Sequence, residues 1–309
     1  MTPNSITPFY VGSSVRRTNK WAWSARMFGT QTASIGTVDH DIHRVRRSAL
    51  NAYFSKRSIS SLEPRIQGHV DKLIIHLKEW RGAGKSVNLV DAFTALTADI
   101  VGDCGFGSSY GILDRVDFGK GWHTFLMELS RNTHLMKQFP WIYDILRMLP
   151  RRLVYFLHPL TRRLFRLQDE IEERIRAAQA RHAGQTDDKE CETRQILMLD
   201  QLIASPHLPA REKTEKRLGE EYLTILMAGT VTTAWTLSVT VYHILANPPI
   251  LQRLHLELQD LVSGLDRVPT WTDYEKLPYL SAIVNEGLRL NHGDESSSCP
   301  YLTIYHSTI

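Results

Sequence analysis

The sequence predicts a mostly α-helical protein with little β-structure. Three observations predict it. Apolar residues recur at spacings of three and four through most segments between positions 39 and 290. No run alternates polar and apolar as a half-buried strand would. Residues 222–251 carry no Asp, Glu, Lys or Arg, a stretch too long for a strand and closed by Pro248-Pro249. The chain has 309 residues, 42% hydrophobic and 23% charged, a globular balance. Such a length buries roughly three-quarters of its unfolded surface.

Residues 1–38 are irregular, with scattered Gly, Ser, Thr and Trp. Asp39 is placed to cap a helix through His43, Val45, Leu50 and Tyr53. Ile59, Leu62, Ile66, Val70, Leu73, Leu77 and Trp80 mark an amphipathic helix, with Pro64 in its first turn and Gly82 and Gly84 ending it. Another helix spans 89–101 and closes at Gly102 or Gly105. Residues 121–140 are helical, and Pro150 separates a further helix from the long 161–183 pattern. There Leu164, Leu167, Ile171, Ile175 and Ala178 share one face. A polar loop at 184–192, a helix at 195–204 and a Pro-containing turn at 205–209 follow. The charge-free stretch predicts a central helix over about 220–246. Ile250, Leu254, Leu258 and Leu261 give the next helix, and 278–290 the last. The tail from 291 has no helical period; 302–305 predict an isolated strand, marginal alone.

Several chemistries are excluded. Cys104, Cys191 and Cys299 are far apart and show no CxxC spacing, so neither a disulfide framework nor a cysteine zinc site is expected. A net charge of +4, with no aromatic–basic interleaving, does not point to nucleic acid. Neither a secretory signal nor an Arg-rich transit pattern opens the sequence. There is no GxSxG elbow, no phosphate-binding Gly–Lys loop and no HExxH helix. The central helix is long enough to span a bilayer. Its many hydroxyls, Thr224 to Thr240, favour instead a helix buried in a protein core.

Three constellations remain. Ala228-Gly229-Thr230-Val231-Thr232-Thr233 places a helix-weakening glycine and paired β-branched residues in a core helix. Either something flat approaches the backbone there, or a neighbouring helix needs a small residue. Glu286 and Arg289 stand three apart and can pair. His40, His43, Arg44, Arg46, Arg47, Lys56 and Arg57 form a basic cluster, in which His43 and Arg47 share a face and suit an anion. A solvated surface is the alternative. His243 is expected to be a core or boundary histidine rather than a ligand.

Taken in order, 39–47, Tyr53-Phe54-Ser55, Phe106-Gly107, Ala228–Thr233, Leu277-Pro278-Tyr279-Leu280 and Glu286–Arg289 resemble a fungal cytochrome P450, a heme-thiolate monooxygenase. The resemblance covers about residues 5–292. It implies that His43 and Arg47 contact heme propionates. It implies that Ala228 and Gly229 let the central helix pass over the heme face, and that Thr232 orients dioxygen and a proton-donating water. Glu286 and Arg289 match the family's structural charge pair. Val231 stands where the family often has an acid. The resemblance further implies heme as cofactor, an apolar small-molecule substrate approached through the apolar, aromatic 122–159 region, and electrons from an NADPH-dependent flavoprotein reductase.

The family continues past the charge pair into a loop FxxGxRxCxG, whose cysteine binds iron; no such segment occurs in this sequence. The expectation is therefore an irregular segment at 1–38, a P450-like helical core at 39–290 and an atypical tail at 291–309, incomplete at both ends and without a competent heme-thiolate centre. Without an anchor, this polypeptide is expected to be soluble or cytoplasmic. Two alternatives stay open: an active monooxygenase whose gene sequence is misread at its 3′ end, and a non-catalytic helical protein binding apolar ligands.

Overall fold

A computed structural model describes residues 17–26, 29–139, 141–150, 159–184, 197–291 and 303–304. The helices are α1 (Ala22–Ala25), α2 (His40–Asn51), α3 (Lys56–Gly82), α4 (Leu89–Phe106), α5 (Trp122–Arg131), α6 (Thr133–Gln138), α7 (Trp141–Met148), α8 (Pro159–Ala183), α9 (Met198–Ala204), α10 (Glu215–Ala246), α11 (Pro248–Ser263), α12 (Trp271–Tyr274) and α13 (Pro278–Leu290). The mostly α class is as the sequence predicts. Among the described residues, β-structure is one antiparallel ladder of β1 (Val87–Asn88) and β2 (Thr303–Ile304). The tail strand is thus not isolated: its partner lies far upstream, where local patterning cannot reveal it. Cys191, Cys299 and most of the 184–192 loop lie outside the described residues.

The chain divides into two compact units, one of Met1–Phe54 and Glu128–Thr224, the other of Ser55–Met127 and Ile225–Ile309. In the first, Asp39 caps α2 as predicted, its Oδ1 accepting the Ile42 N–H at 2.9 Å. The helix α8 buries Leu167, Ile171, Ile175 and Ala178, the stripe its periodicity marks. It packs on α9, which buries Met198, Leu199 and Leu202. The helix α10 starts at Glu215, five residues before the expected 220. Thr214 explains this. Its carbonyl accepts the Leu218 N–H at 3.0 Å and its hydroxyl the Arg217 N–H at 3.4 Å, so charged residues form the first turn.

In the second unit α3 packs along α4 around Leu73, Leu89, Ala92, Leu96, Ile112 and Phe118. Pro64 is not in the first turn of α3. Ser55 caps the helix, accepting the Ser58 N–H at 3.3 Å, so Pro64 falls at the ninth position and leaves the Ser60 carbonyl without its helical donor. Nearby, the α12 start is tied on by the Trp271 N–H to Glu63 Oε1 (2.6 Å) and Trp271 Nε1 to Ser60 Oγ (3.2 Å). The helix α4 also runs past Gly102 and Gly105 to Phe106. A Cβ at Gly102 would come within 2.9 Å of Tyr110 Cδ2, so this glycine serves packing. The stop is Gly107, at φ 78°. Buried Asp99 fixes the following loop, accepting the Ile112 N–H at 3.1 Å and the Leu113 N–H at 2.8 Å.

Asp103, on α4, accepts from Arg65 Nη1 at 2.8 Å and faces His69 Nε2 at 3.3 Å. The His69 bond leads in holding its carboxyl below the usual range, partly opposed by burial and aided by Arg65. A depressed folded pKa stabilises above the unfolded value, about 3.9, and the gain is lost as pH falls through the folded value. Asp103→Asn should therefore flatten the acid limb of a pH–stability curve. Parallel acid limbs in variant and parent would exclude this contribution.

Candidate functional site

The helix α10 contributes to both units. By length and apolarity it could cross a membrane, and only a third of its most apolar stretch is buried among the described residues, less than the buried core helix its hydroxyls predict. Its hydroxyls turn inward on its own backbone. Thr224, Thr232, Thr236, Ser238 and Thr240 each donate to the carbonyl four residues earlier, at 2.6–2.9 Å.

In the second unit, the Ala228–Thr233 segment has two unlike sides. One is packed. Thr230 is fully buried and its carbonyl accepts from Thr97 Oγ1 at 3.2 Å. A Cβ at Gly229 would stand 3.3 Å from Val101 Cγ2, so this glycine sets the spacing of α10 to α4. The other side is open. Ala228, Thr232 and Thr233 are exposed. Thr232 Oγ1 donates to the Ala228 carbonyl at 2.6 Å, which uses its proton and leaves its lone pairs facing outward. Val231 is buried, and position 231 offers no carboxylate.

Glu286 and Arg289 do pair. Arg289 Nε donates to Glu286 Oε2 at 2.7 Å and Nη2 to Oε1 at 2.5 Å. The Arg289 bond leads in lowering the Glu286 pKa. Both side chains are more than half exposed, where water screens such a pair and it adds little to stability. Residues unmarked by the sequence fix their helix. Glu257 on α11 accepts the Tyr279 and Leu280 N–H groups at 2.9 and 2.8 Å, satisfying the start of α13. At the other end buried Gly287 abuts Thr240 on α10, and Asn291 Nδ2 donates to Thr236 Oγ1 at 2.5 Å. His243 is exposed, edge-on to Tyr242. That corrects the core or boundary expectation: it falls on the side of α10 that its neighbours leave uncovered.

In the first unit, α2 carries half-buried His43 and exposed Arg47. Neither side chain has a hydrogen-bond partner among the described residues. Burial, then Lys20, His40 and Arg47, push the His43 pKa down, so it is a neutral imidazole beside a cation. The basic cluster is not one patch. Arg46 is held by Glu212 at 2.6 Å. In the other unit Lys56 pairs with Glu275 at 3.1 Å. An open cavity of about 260 Å³ is lined by Arg26, Thr37, Asp39, Ile42 and Arg46 among others, but by neither His43 nor Arg47. Cys104, in the second unit, is a buried thiol pushed up to about 11 by burial, then by Asp103. It is not a ready thiolate.

The family profile described as cytochrome P450 matches residues 11–294. The chain is 36% identical over 290 residues to the cytochrome P450 monooxygenase tpcC of Cochliobolus heterostrophus, covering 94% of this chain and 54% of that protein. It is 36% identical to the N-acetyltryptophan 6-hydroxylase ivoC of Emericella nidulans, with 94% and 56% covered. It is 38% identical to the conidiogenone synthase PchP450 of Penicillium rubens, again with 94% and 56% covered. The chain thus spans about half the length of the curated relatives it matches. A crystal structure of a cytochrome P450, CYP102L1, superposes with a TM-score of 0.65 at 16% identity, over 89% of this chain and 59% of that one; it speaks for the fold. With the helical architecture, the profile match over most of the sequence and these fungal relatives in agreement, the chain belongs to the cytochrome P450 family.

Proposed function

We propose that this chain is the helical portion of a fungal monooxygenase that oxidises an apolar small molecule of secondary metabolism. Dioxygen is the oxidant, and electrons come from an NADPH-dependent flavoprotein reductase. The observation that carries the reading is the open side of α10, where Ala228 and Thr232 stand one turn apart with no large side chain between them. A flat apolar group fits that side. The relatives named an N-acetyltryptophan 6-hydroxylase and a conidiogenone synthase support the reaction class.

The family implies heme, which when bound supplies dioxygen activation and insertion of one oxygen atom into substrate. The chain's own residues would do the rest. Ala228 keeps the approach clear, with Gly229 setting the helix depth behind it. Thr232 offers its oxygen to a donor on the open side, holding a water or the oxidant in line. With Val231 buried and uncharged, proton supply would run through solvent at Thr232. On α2, Arg47 and neutral His43 supply a cation and a ring N–H for carboxylates. The exposed pair Glu286–Arg289 is proposed to gain its structural role from groups of the longer family fold that cover it. Family members are often membrane-associated.

Titration with hemin, followed by absorbance, tests the fit. Ala228→Leu should weaken hemin binding about tenfold without moving Tm, because position 228 is exposed. Equal affinities for parent and variant would remove the open side of α10 from the cofactor site. A second result is expected of the 309-residue polypeptide itself. Its sequence contains no FxxGxRxCxG segment and Cys104 stays protonated. Loaded with hemin, reduced and exposed to carbon monoxide, it should lack the thiolate-type Soret band; appearance of that band would overturn the expectation.

A further inference from the structure

Arg46 belongs to a partly buried network in the first unit that the proposed function does not use. Its Nε and Nη2 donate to the two oxygens of Glu212, at 2.6 and 3.2 Å, and its Nη1 to Thr37 Oγ1 at 2.7 Å. Glu212 closes the 3-10 turn Ala210–Glu212, just before α10. Its Oε2 lies 3.6 Å from Arg217 Nε. Arg217 Nη2 donates to Glu221 Oε2 at 2.7 Å. That carboxylate also accepts the N–H and hydroxyl of Ser34, at 3.0 and 2.9 Å. Glu220 takes the same two groups of Thr32, both at 2.7 Å. Residues 30–37 and α2 are therefore both fastened to the start of α10, largely by charge-assisted hydrogen bonds.

The helix α2 needs such a fastening. Of its twelve residues only Ala49 and Leu50 are buried, so apolar contacts resist a roll about its axis weakly. His43 and Arg47 flank Arg46 at i−3 and i+1, and the bidentate Arg46–Glu212 contact fixes the direction in which they point. We propose that Arg46 and Glu212 are positioning residues for His43 and Arg47, setting the roll of α2 so that this pair can grip carboxylates. The inference rests on the carboxylate-binding reading of His43 and Arg47.

The test compares hemin with hemin dimethyl ester, which lacks the carboxylates, as ligands of the full chain. The parent should prefer hemin about tenfold, the size of one charge-assisted hydrogen bond. Arg47→Ala should abolish the preference, which tests the underlying reading. Glu212→Gln should also abolish it, while leaving ester affinity and the far-ultraviolet spectrum unchanged, and Glu212→Asp should restore most of it. A preference lost in Arg47→Ala but kept in Glu212→Gln overturns the positioning role and leaves the reading standing. No preference in the parent overturns both. If Glu212→Gln does not fold, Arg46→Lys, which keeps the charge but not the fork, decides: it should lose at least half of the preference, and retaining all of it overturns the inference.

Discussion

Glu221→Gln is expected to lower the unfolding free energy by about 1.5–3 kcal/mol, the worth of a hydrogen bond to a charged group, because Arg217 loses the nearer of its two carboxylates and keeps only Glu212, 3.6 Å from its Nε. Arg217 and Glu221 have side-chain exposures of only 3% and 2%. Arg217 Nη1 and Nε have no hydrogen-bond partner among the described residues, and burial pushes the Arg217 pKa down. Glutamine keeps the shape of Glu221, and its carbonyl oxygen can still accept from Ser34, but it removes the charge that compensates the guanidinium. Urea unfolding followed by circular dichroism measures the loss, and a change below 1 kcal/mol would show that Arg217 finds compensation elsewhere. The double variant Arg217→Met with Glu221→Gln provides the contrast. Removing both charges while keeping an acceptor for the two Ser34 donors should cost less than the single change, and a double variant as unstable as Glu221→Gln would argue that the pair is needed for itself.

Gly287→Ala should destabilise by about 1–3 kcal/mol through overpacking, although alanine is the better helix former by about 1 kcal/mol. The added Cβ would come within 3.1 Å of Thr240 Cβ and 3.2 Å of its Cγ2, with Thr240 Oγ1 closer still. Rotating Thr240 does not clear the space, because its Cβ and methyl are also in the way. Rotation would also break its hydroxyl bond to the Thr236 carbonyl, at 2.7 Å. Either α13 moves off α10 or Thr240 leaves its rotamer. Thr240→Ala should be nearly neutral alone and should recover part of the loss when combined with Gly287→Ala, because it removes Oγ1 and Cγ2 but keeps the Cβ that stands 3.1 Å away. Additive effects in that cycle would show that the two positions do not meet.

These two sites show where sequence reading stops. The cap at Asp39, the buried stripe of α8 and the bounds of α13 were legible because each follows from neighbours within a turn or two. The open side at Ala228–Thr233 and the Glu286–Arg289 ion pair were legible for the same reason: each lies within one short helical segment. The charge-free run predicts a start for α10 five residues too late, because the turn before it is charged and Thr214 alone is a sufficient cap. Pro64 reads as a first-turn proline because that is the commoner case, while Ser55 starts the helix earlier. Gly102 and Gly105 read as stops because Tyr110, which Gly102 makes room for, lies beyond the helix. The Ser34–Glu221 contact joins residues 187 apart, and no local periodicity announces such a pair. Arg46 could not be told from Arg44 or Arg47 by composition; only the fold decides which arginine meets Glu212.

The deepest residues of α10 are Leu218, Tyr222, Leu226, Thr230, Ala234 and Ser238, each fully buried. They recur every fourth residue. A helix turns about 100° per residue, so each step overshoots a full turn by about 40° and five steps sweep about 200°. The buried seam therefore winds around the helix rather than running down it, along one of its oblique ridges. Angular phase, not hydrophobicity alone, then decides which residues α10 hides and which it shows. One alanine inserted after Leu226 would keep the composition and the helix. It would also turn everything downstream by about 100°, rotating Ala228 and Thr232 off their open side and dragging charge-free but wrongly shaped side chains into the seam.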